Sequence, residues 1–398
     1  MISAQEALRI ILDSVQPLET ITVSLQRSLR LTLGETIVAG ENVPPFDNAA
    51  MDGYAVRSSD TTSAPATLQV VGEISAGSVP TRKLLPGEAM SIMTGAKIPE
   101  GCDAVVQFEG TQQTNGTHVK ILQAYPAGHN IRRSGGDIQK GAVVLEKGQV
   151  LRPQEIGVLA SLGKLFVEVY RPAEVAILTS GNEVVDIDKP ATEGSVRNSN
   201  LYSLIALLQD MHAEARNLGI ARDDRKELED KIVEGLKADA VIASGGVSVG
   251  KYDLVIDTLK RLGSEIKFWK VNIKPGMPLM FGICRGKPVF GLPGNPVSTV
   301  VTFLQFVKPA LTKMMGQINY DSTFRIRARL EHEIEKADGK RHYVRGILEN
   351  RNGLLYVRSS GSQVSNVLSS LTKANCFIII PEEKTMIGQG EDAEVELL

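Results

Sequence analysis

Ala238-Asp239-Ala240-Val241-Ile242-Ala243 runs directly into Ser244-Gly245-Gly246-Val247-Ser248-Val249-Gly250, and Asp253 follows where a helical pattern begins. An apolar strand feeding a glycine-rich turn and a helix start leaves several backbone N–H groups without partners, and the helix dipole adds positive potential there. The stretch therefore predicts an anion cradle in which Ser244, Gly245, Gly246, Ser248 and Gly250 contact a phosphate or another oxyanion. An ordinary βα turn also uses glycine for left-handed backbone angles. It has no need of the two hydroxyls and the following carboxylate. Asp253 would repel the anion unless a divalent metal lay between them, so turn and acid together point to a metal-bridged phosphate.

Strand-loop-helix units recur on both sides of this stretch. Val175-Ala176-Ile177-Leu178-Thr179 reads as a buried strand, followed by a helix on Leu201, Leu204, Ile205 and Leu208. Further helices are expected from Arg225 to Leu236, around Val255, Ile256 and Leu259, and from about Val297 to Met315, with a strand at Val289-Phe290. This alternation predicts a doubly wound, mostly parallel α/β sheet over residues 172–320, and ligands in such sheets sit beyond the carboxyl ends of the strands. Three polar loops follow apolar strands: Ser180-Gly181-Asn182-Glu183, the Ser244 loop, and Gly291-Leu292-Pro293-Gly294-Asn295-Pro296. They are expected to converge on one crevice.

The flanks read differently. Ser3 and Glu6 form a capping box, and Leu8, Ile11, Leu12 and Val15 follow on one helical face before Pro17. Short β-type segments from Ile21 to Ala39 and around Ala142 to Val150 could pair, giving an elongated discontinuous domain from residues 1–44 and 138–171. Residues 45–137 lack helical periodicity and read as an inserted small β domain. Alternating segments such as Arg325-Ile326-Arg327-Ala328-Arg329-Leu330 and Cys376-Phe377-Ile378-Ile379-Ile380-Pro381 predict a β barrel or sandwich over residues 321–398. The fold class is multidomain α/β plus β.

Composition narrows the function. Forty-four Lys and Arg against 46 Asp and Glu give a net charge of -2, so no general basic field exists to hold nucleic acid or an anionic membrane. Any positive site must be local. One Trp and 5% aromatic residues supply no stacking platform for single strands. Cys102, Cys284 and Cys376 are odd in number and widely spaced, which fits small core residues in a reducing compartment. The N-terminus has no basic leader and no run approaches the roughly 20 apolar residues of a membrane span, so a cytoplasmic location is expected.

Several other polar stretches compete with plain structural readings. In Trp269-Lys270-Val271-Asn272-Ile273-Lys274-Pro275-Gly276-Met277-Pro278 the first part reads as a strand, with Lys270, Asn272 and Lys274 on one face. An edge strand protected by lysines would look similar, but the rigid Pro-Gly-Met-Pro favours a site. Pro45-Phe46-Asp47-Asn48-Ala49-Ala50-Met51-Asp52-Gly53-Tyr54-Ala55 is a linker or an acidic motif, and Thr94-Gly95-Ala96 is a β-turn or a placed hydroxyl. Arg132-Arg133-Ser134-Gly135-Gly136-Asp137-Ile138 is an ion pair or an oxyanion clamp. Asp223-Asp224 offers one helix cap and one spare carboxylate. Arg341, Arg345 and Ser365 are possible anion contacts, and the five histidines show no metal spacing.

Taken together, the Pro45–Ala55, Thr94–Ala96, Arg132–Ile138, Ser244–Gly250, Ile273–Gly276 and Gly291–Ser298 motifs resemble the molybdopterin molybdenumtransferase family of the MoeA type, related to the gephyrin E domain. The resemblance covers nearly the whole chain in the family's order. It implies a four-domain subunit with a MogA-like central domain, forming a homodimer whose active cleft lies between that domain of one chain and other domains of its partner. The implied reaction inserts molybdenum from molybdate into adenylylated molybdopterin and releases AMP with the help of Mg2+. By resemblance, Asp52, Thr94, Asp137, Glu183, Asp224 and Asp253 match functional polar positions, with Glu183 and Asp253 as metal ligands. Lys270, Lys274, Arg345 and Ser365 match basic or hydroxyl positions around the anions, and Pro293, Gly294 and Asn295 belong to the substrate loop. Carboxylates to hold the metal and cations to offset charge on the leaving phosphate are what such chemistry requires.

Ala49, Gly136, Asn182 and Met277 depart from the pattern, standing where Ser, Glu, Asp and Lys are common. Met277 lowers the grip on an anion and Asn182 the grip on a metal. Two rival functions follow from the same resemblance: the preceding adenylylation of molybdopterin, whose enzyme resembles the central domain and is itself a possible partner, and a non-catalytic gephyrin-like scaffold.

Overall fold

The computed structural model describes residues 1–114, 116–222, 224–246, 254–319 and 324–398. Its centre is a six-stranded sheet of β1 (Glu174–Ser180), β2 (Glu214–Ala221), β3 (Ala240–Ser244), β4 (Glu265–Trp269), β5 (Met280–Cys284) and β6 (Lys287–Leu292). The spatial order is β2-β1-β3-β6-β5-β4. The first four strands are mutually parallel, and β5 and β4 add antiparallel at one edge. Side chains alternate between two cores. Val175, Ile177, Ala240 and Ile242 face one, and Ala176, Leu178, Val241 and Ala243 face the other. Burial on both faces explains why these strands read as unbroken apolar runs.

Helix α1 (Ser199–Asp210) covers the first face through Leu201, Leu204 and Leu208. Helices α2 (Arg225–Gly235) and α3 (Leu254–Arg261) cover the second through Leu228, Ile232, Val255 and Leu259. The last helical run comprises α4 (Pro296–Thr302), a π turn at Phe303–Val307 and α5 (Lys308–Met314). Pro309 explains the widened turn, since it has no N–H and its ring displaces the carbonyl one turn back.

The opening helix Ala4–Ser14 is capped as expected, with Ser3 Oγ accepting from the Glu6 N–H at 3.1 Å. Its packing reaches beyond the discontinuous unit expected for residues 1–44. Ala4, Ala7, Ile11 and Val15 enter the first core of the central sheet, and the Leu18 N–H donates to Met314 O at 2.7 Å. The buried stripe runs through the two alanines because they let the helix approach closely; Leu8 and Leu12 lie at its margin. After this helix, Thr20–Ser24 pairs with Phe166–Tyr170 and Ile37–Val38 with Val143–Leu145, joining the two distant stretches.

Between them lies a separate six-stranded sheet, in the order 104–107, 53–56, 88–92, 66–74, 118–121 and 111–113. The C-terminal strands β7 (Arg325–Leu330), β8 (Arg341–Arg351), β9 (Leu354–Ser359), β10 (Cys376–Ile380) and β11 (Asp392–Leu397) close a five-stranded barrel, because β8 pairs with both β9 and β10. Tyr343, Phe377 and Ile379 pass from the barrel into the central core, so barrel and sheet share apolar surface. Among the described residues no helix is long and apolar enough to cross a membrane.

Candidate functional site

The chain leaves β1 toward β2 on one side and returns to β3 on the other, so the β1/β3 junction is the point where winding reverses. Ligand crevices form there because adjacent loops diverge beyond the strand ends. A cavity of about 790 Å³ occupies this position, walled by residues of all three polar loops: Ser180, Gly181 and Glu183 after β1, Ser244 to Gly246 after β3, and Pro293 to Asn295 after β6. The convergence expected from the strand ends is present in the structure.

Hydrogen bonds tie the loops into one frame. Asn200, in the first turn of α1, donates through Nδ2 to Ser244 Oγ and to Gly294 O, both at 2.9 Å. The Gly245 N–H donates to Leu292 O at 3.0 Å, and Thr299 Oγ1 donates to Pro293 O at 2.7 Å. Gly245 has φ +90°, and a Cβ there would lie 2.5 Å from Ser180 O. Glycine is therefore needed for both conformation and space. The barrel reaches the same place: Asn295 Nδ2 donates to Ser365 Oγ at 3.0 Å, the Val297 N–H to Ser365 O at 3.2 Å, and Asn366 joins the lining.

Arg345 holds this barrel loop from behind. Its side chain is buried; Nη2 donates to Ser362 O at 3.0 Å and Val364 O at 3.2 Å, and Nε donates to Ser370 Oγ at 3.2 Å. Burial without a carboxylate partner lowers its pKa. In the structure the guanidinium is engaged by the segment that carries Ser365.

Lys270 and Lys274 do not share a strand face. The strand ends at Trp269, Lys270 adopts φ +77° with Nζ 4.4 Å from the Trp269 ring centre, and Ile273–Lys274 pairs instead with Arg341–His342 of the barrel. The left-handed residue turns the chain from the sheet edge to the barrel. Lys274 Nζ lies 3.6 Å from Asp338, which also contacts His342 Nε2 at 2.8 Å. Neither lysine is among the cavity walls, although Pro278 is. Asp224 caps α2, accepting from the Glu227 N–H at 2.8 Å. Ser248, Gly250 and Asp253 lie outside the described residues.

The three N-terminal motifs form a second cluster. Asp52 Oδ1 accepts from the Thr94 N–H at 2.6 Å and the Thr94 hydroxyl at 2.7 Å, which holds its carboxyl below the usual range. Asp47 accepts from the Ser134 N–H and from Arg133, both at 2.7 Å, with the same effect. Asn48–Ala49 pairs with Ile131–Arg132, and the Gly95 N–H donates to Ala49 O at 2.8 Å. Asp137 is exposed beside this cluster. None of Asp52, Thr94 and Asp137 lines the central cavity of the same chain. A Cβ at Gly136 would stand 2.9 Å from Arg133 O, so the turn that holds the Asp47 clamp leaves little room for a larger residue.

Three cavity residues escaped the sequence reading as individuals. Ser180, Asn198 and Asn200 each have a buried polar atom without a partner. The available signal was the Asn198-Ser199-Asn200 run at the start of the Leu201 helix, where Asn198 proves to be the cap.

A doubly wound sheet with a glycine-lined crevice at its switch point, braced by a β barrel and carrying a separate β module, defines a multidomain α/β protein with a ligand crevice. Residues 2–163 match the MoeA N-terminal region (domain I and II), 176–313 a probable molybdopterin binding domain, and 327–398 the MoeA C-terminal region (domain IV). The chain belongs to the MoeA family. It is 39% identical over 383 residues to a molybdopterin molybdenumtransferase of Haemophilus influenzae, spanning 96% of this chain and 94% of the relative. Against the protein of that name from Nostoc it is 37% identical, spanning 96% and 89%. A crystal structure of the molybdopterin biosynthesis MoeA protein from Pyrococcus horikoshii OT3 superposes with a TM-score of 0.87 at 31% identity, covering 100% of both chains.

Proposed function

We propose that this protein is a molybdopterin molybdenumtransferase, moving molybdenum from molybdate to adenylylated molybdopterin with release of AMP. The observation that carries the reading is the crevice at the β1/β3 switch point, which lies in the segment matched to a probable molybdopterin binding domain. Its chemistry suits a pyrophosphate-linked substrate. Ser244, Gly245 and Gly246 place hydroxyl and main-chain groups at the strand end, while Pro293, Gly294 and Asn295 form the opposite wall. The roles given to Ser248 and Gly250 complete the cradle.

Magnesium fits this donor set as a substrate-borne ion. Among the described residues no group of three or more His, Cys, Asp or Glu could hold a metal, but Glu183 lines the crevice, and Mg2+ commonly binds through one or two carboxylates plus phosphate oxygens. Glu183 and Asp253 would hold it, and when bound it offsets charge developing on the leaving phosphate. Lys270 and Lys274 supply the remaining positive charge, and Ser365 positions the Asn295 loop.

We further propose a homodimer in which Asp52, Thr94 and Asp137 of one chain face the crevice of the other. Their separation from the cavity within one chain supports this arrangement. The proposed units are 1–44 with 138–171, of which the opening helix packs on the central sheet, then 45–137, 172–320 and 321–398. A cytoplasmic location and contact with the adenylyltransferase that makes the substrate belong to the same reading. Incubating the purified chain with adenylylated molybdopterin, Mg2+ and molybdate tests it. AMP release with cofactor formation supports the transferase. ATP consumption on free molybdopterin would replace it with the adenylyltransferase, and neither reaction would leave a scaffold.

A further inference from the structure

Half of the buried side-chain polar atoms without partners among the described residues belong to residues that line the crevice: Ser180 Oγ, Asn198 Nδ2 and Asn200 Oδ1. Their residues are only 9%, 2% and 7% exposed, so bulk water does not serve them. Leaving such an atom unpaired is costly, and three together call for a common partner.

The orientation of both amides is fixed by their other bonds. Asn198 Oδ1 accepts from the Leu201 N–H at 3.3 Å and from Thr179 Oγ1 at 3.1 Å, which leaves the NH2 as the orphan. Asn200 gives its NH2 to Gly294 O, an acceptor only, which leaves its oxygen as the orphan. An oxyanion would ask for donors alone, and a metal for acceptors alone. This wall offers one donor, one acceptor and one hydroxyl that can be either. The edge of a nitrogen heterocycle, where ring N or C=O alternates with N–H, has the matching pattern.

We propose that Ser180, Asn198 and Asn200 recognise the ring edge of a neutral fused nitrogen heterocycle, with Asn198 Nδ2 donating to a ring acceptor and Asn200 Oδ1 accepting from an N–H. The inference rests on the function proposed above and deepens it, because adenylylated molybdopterin carries two such rings, a pterin and an adenine. The two asparagines then select the ring, and the glycine turns bind the phosphates.

The test uses the full chain and three probes titrated separately by calorimetry: 6-hydroxymethylpterin, adenosine and inorganic pyrophosphate. Asn198→Ser keeps a good helix cap but removes the amide donor. Ser180→Ala deletes the orphan hydroxyl. With no ligand this deletion is neutral or stabilising, so its melting temperature should equal or exceed that of the wild type. Each variant is expected to lose about tenfold or more in affinity for at least one ring, the loss seen when a built hydrogen-bonding site meets the wrong edge, while pyrophosphate affinity is unchanged. Identical ring affinities in wild type and both variants would overturn the inference. So would a wild type that binds neither ring, or a crystal structure in which water satisfies all three atoms and the ring lies elsewhere. Failure of pyrophosphate alone would instead count against the proposed function while the ring result stood.

Discussion

Gly245→Ala is the substitution that most directly tests the cradle. Gly245 has φ +90°, and its new Cβ would lie 2.5 Å from Ser180 O, a main-chain atom of the neighbouring strand that cannot swing away. Relief to ordinary carbon contact requires roughly 1 Å of separation between the ends of β1 and β3. The left-handed conformation costs about 1–2 kcal/mol for a residue with a Cβ, and the overpacking about 1–3 kcal/mol more. A total of about 2–5 kcal/mol in a unit of this size corresponds to a melting temperature lower by roughly 5–15 °C. Gly294→Ala is the control. Its new methyl meets nothing nearer than Gly245 Cα at 3.7 Å, and Gly294 has no positive φ. Stability should stay within about 0.5 kcal/mol of wild type. Its affinity for pyrophosphate should nonetheless fall by about tenfold, ~1.4 kcal/mol, because the methyl takes space at the wall where the phosphates are placed. Scanning fluorimetry and calorimetry read the two quantities on the same samples. A Gly245→Ala protein melting within about 1 °C of wild type would refute the strain argument, and a Gly294→Ala protein of unchanged affinity would refute the placement of the anion.

Three further perturbations address other parts of the molecule. Thr94→Val removes the hydroxyl bond to Asp52 and leaves the N–H bond, so the depressed pKa should rise toward the ordinary carboxylate value. The sign follows from the shift: the ionised pair contributes above the unfolded carboxylate pKa and is lost as pH falls through the lower folded value, so the acid limb of the activity profile moves to higher pH in the variant. Arg171→Ala leaves Asp239, whose side chain is 6% exposed, with the Glu174 N–H and Lys287 as its remaining partners. Chemical denaturation should show a loss of about 2–4 kcal/mol, discounted because Arg171 is partly exposed, with partial recovery when Asp239→Asn is added. Met277→Lys adds a cation next to the cavity residue Pro278, on a backbone pinned by the Val271 and Leu279 N–H bonds to Met277 O at 2.9 Å. Molybdate affinity, measured by calorimetry, should rise by roughly threefold to tenfold.

Local chemistry made much of this architecture legible. Ser3 marks a helix start because its hydroxyl answers an unpaired N–H donor of the first turn, and the apolar β1 and β3 runs mark buried parallel strands because no face is left for polar residues. What failed depended on partners far along the chain. Periodicity showed that the opening helix is amphipathic, but not that its alanines fit the central core. Alternation around Lys270 suggested one strand, yet the chain changes partners there, from β5 to the barrel strand β8. Arg345 read as an anion contact, and its burial was not legible because carbonyl acceptors that let a guanidinium be buried leave no mark in a sequence.

The two polar clusters differ in the charge they can tolerate. In the crevice, three loops offer main-chain groups, hydroxyls and amides with Glu183 as the carboxylate on its wall, a balance that accepts an anion with at most a bridging cation. In the N-terminal cluster, Asp47 and Asp52 are both held ionised by N–H donors that are already engaged. Arg133 offsets the charge on Asp47, whereas the Asp52 carboxylate, among the described residues, is bonded only to Thr94, so a phosphate approaching Asp52 meets a like charge, which repels strongly once water is excluded. Under the proposed function, this cluster would act on a phosphorylated substrate through an intervening cation or by orienting a neutral group. A phosphate bound directly to Asp52, with no cation between them, runs against this charge pattern.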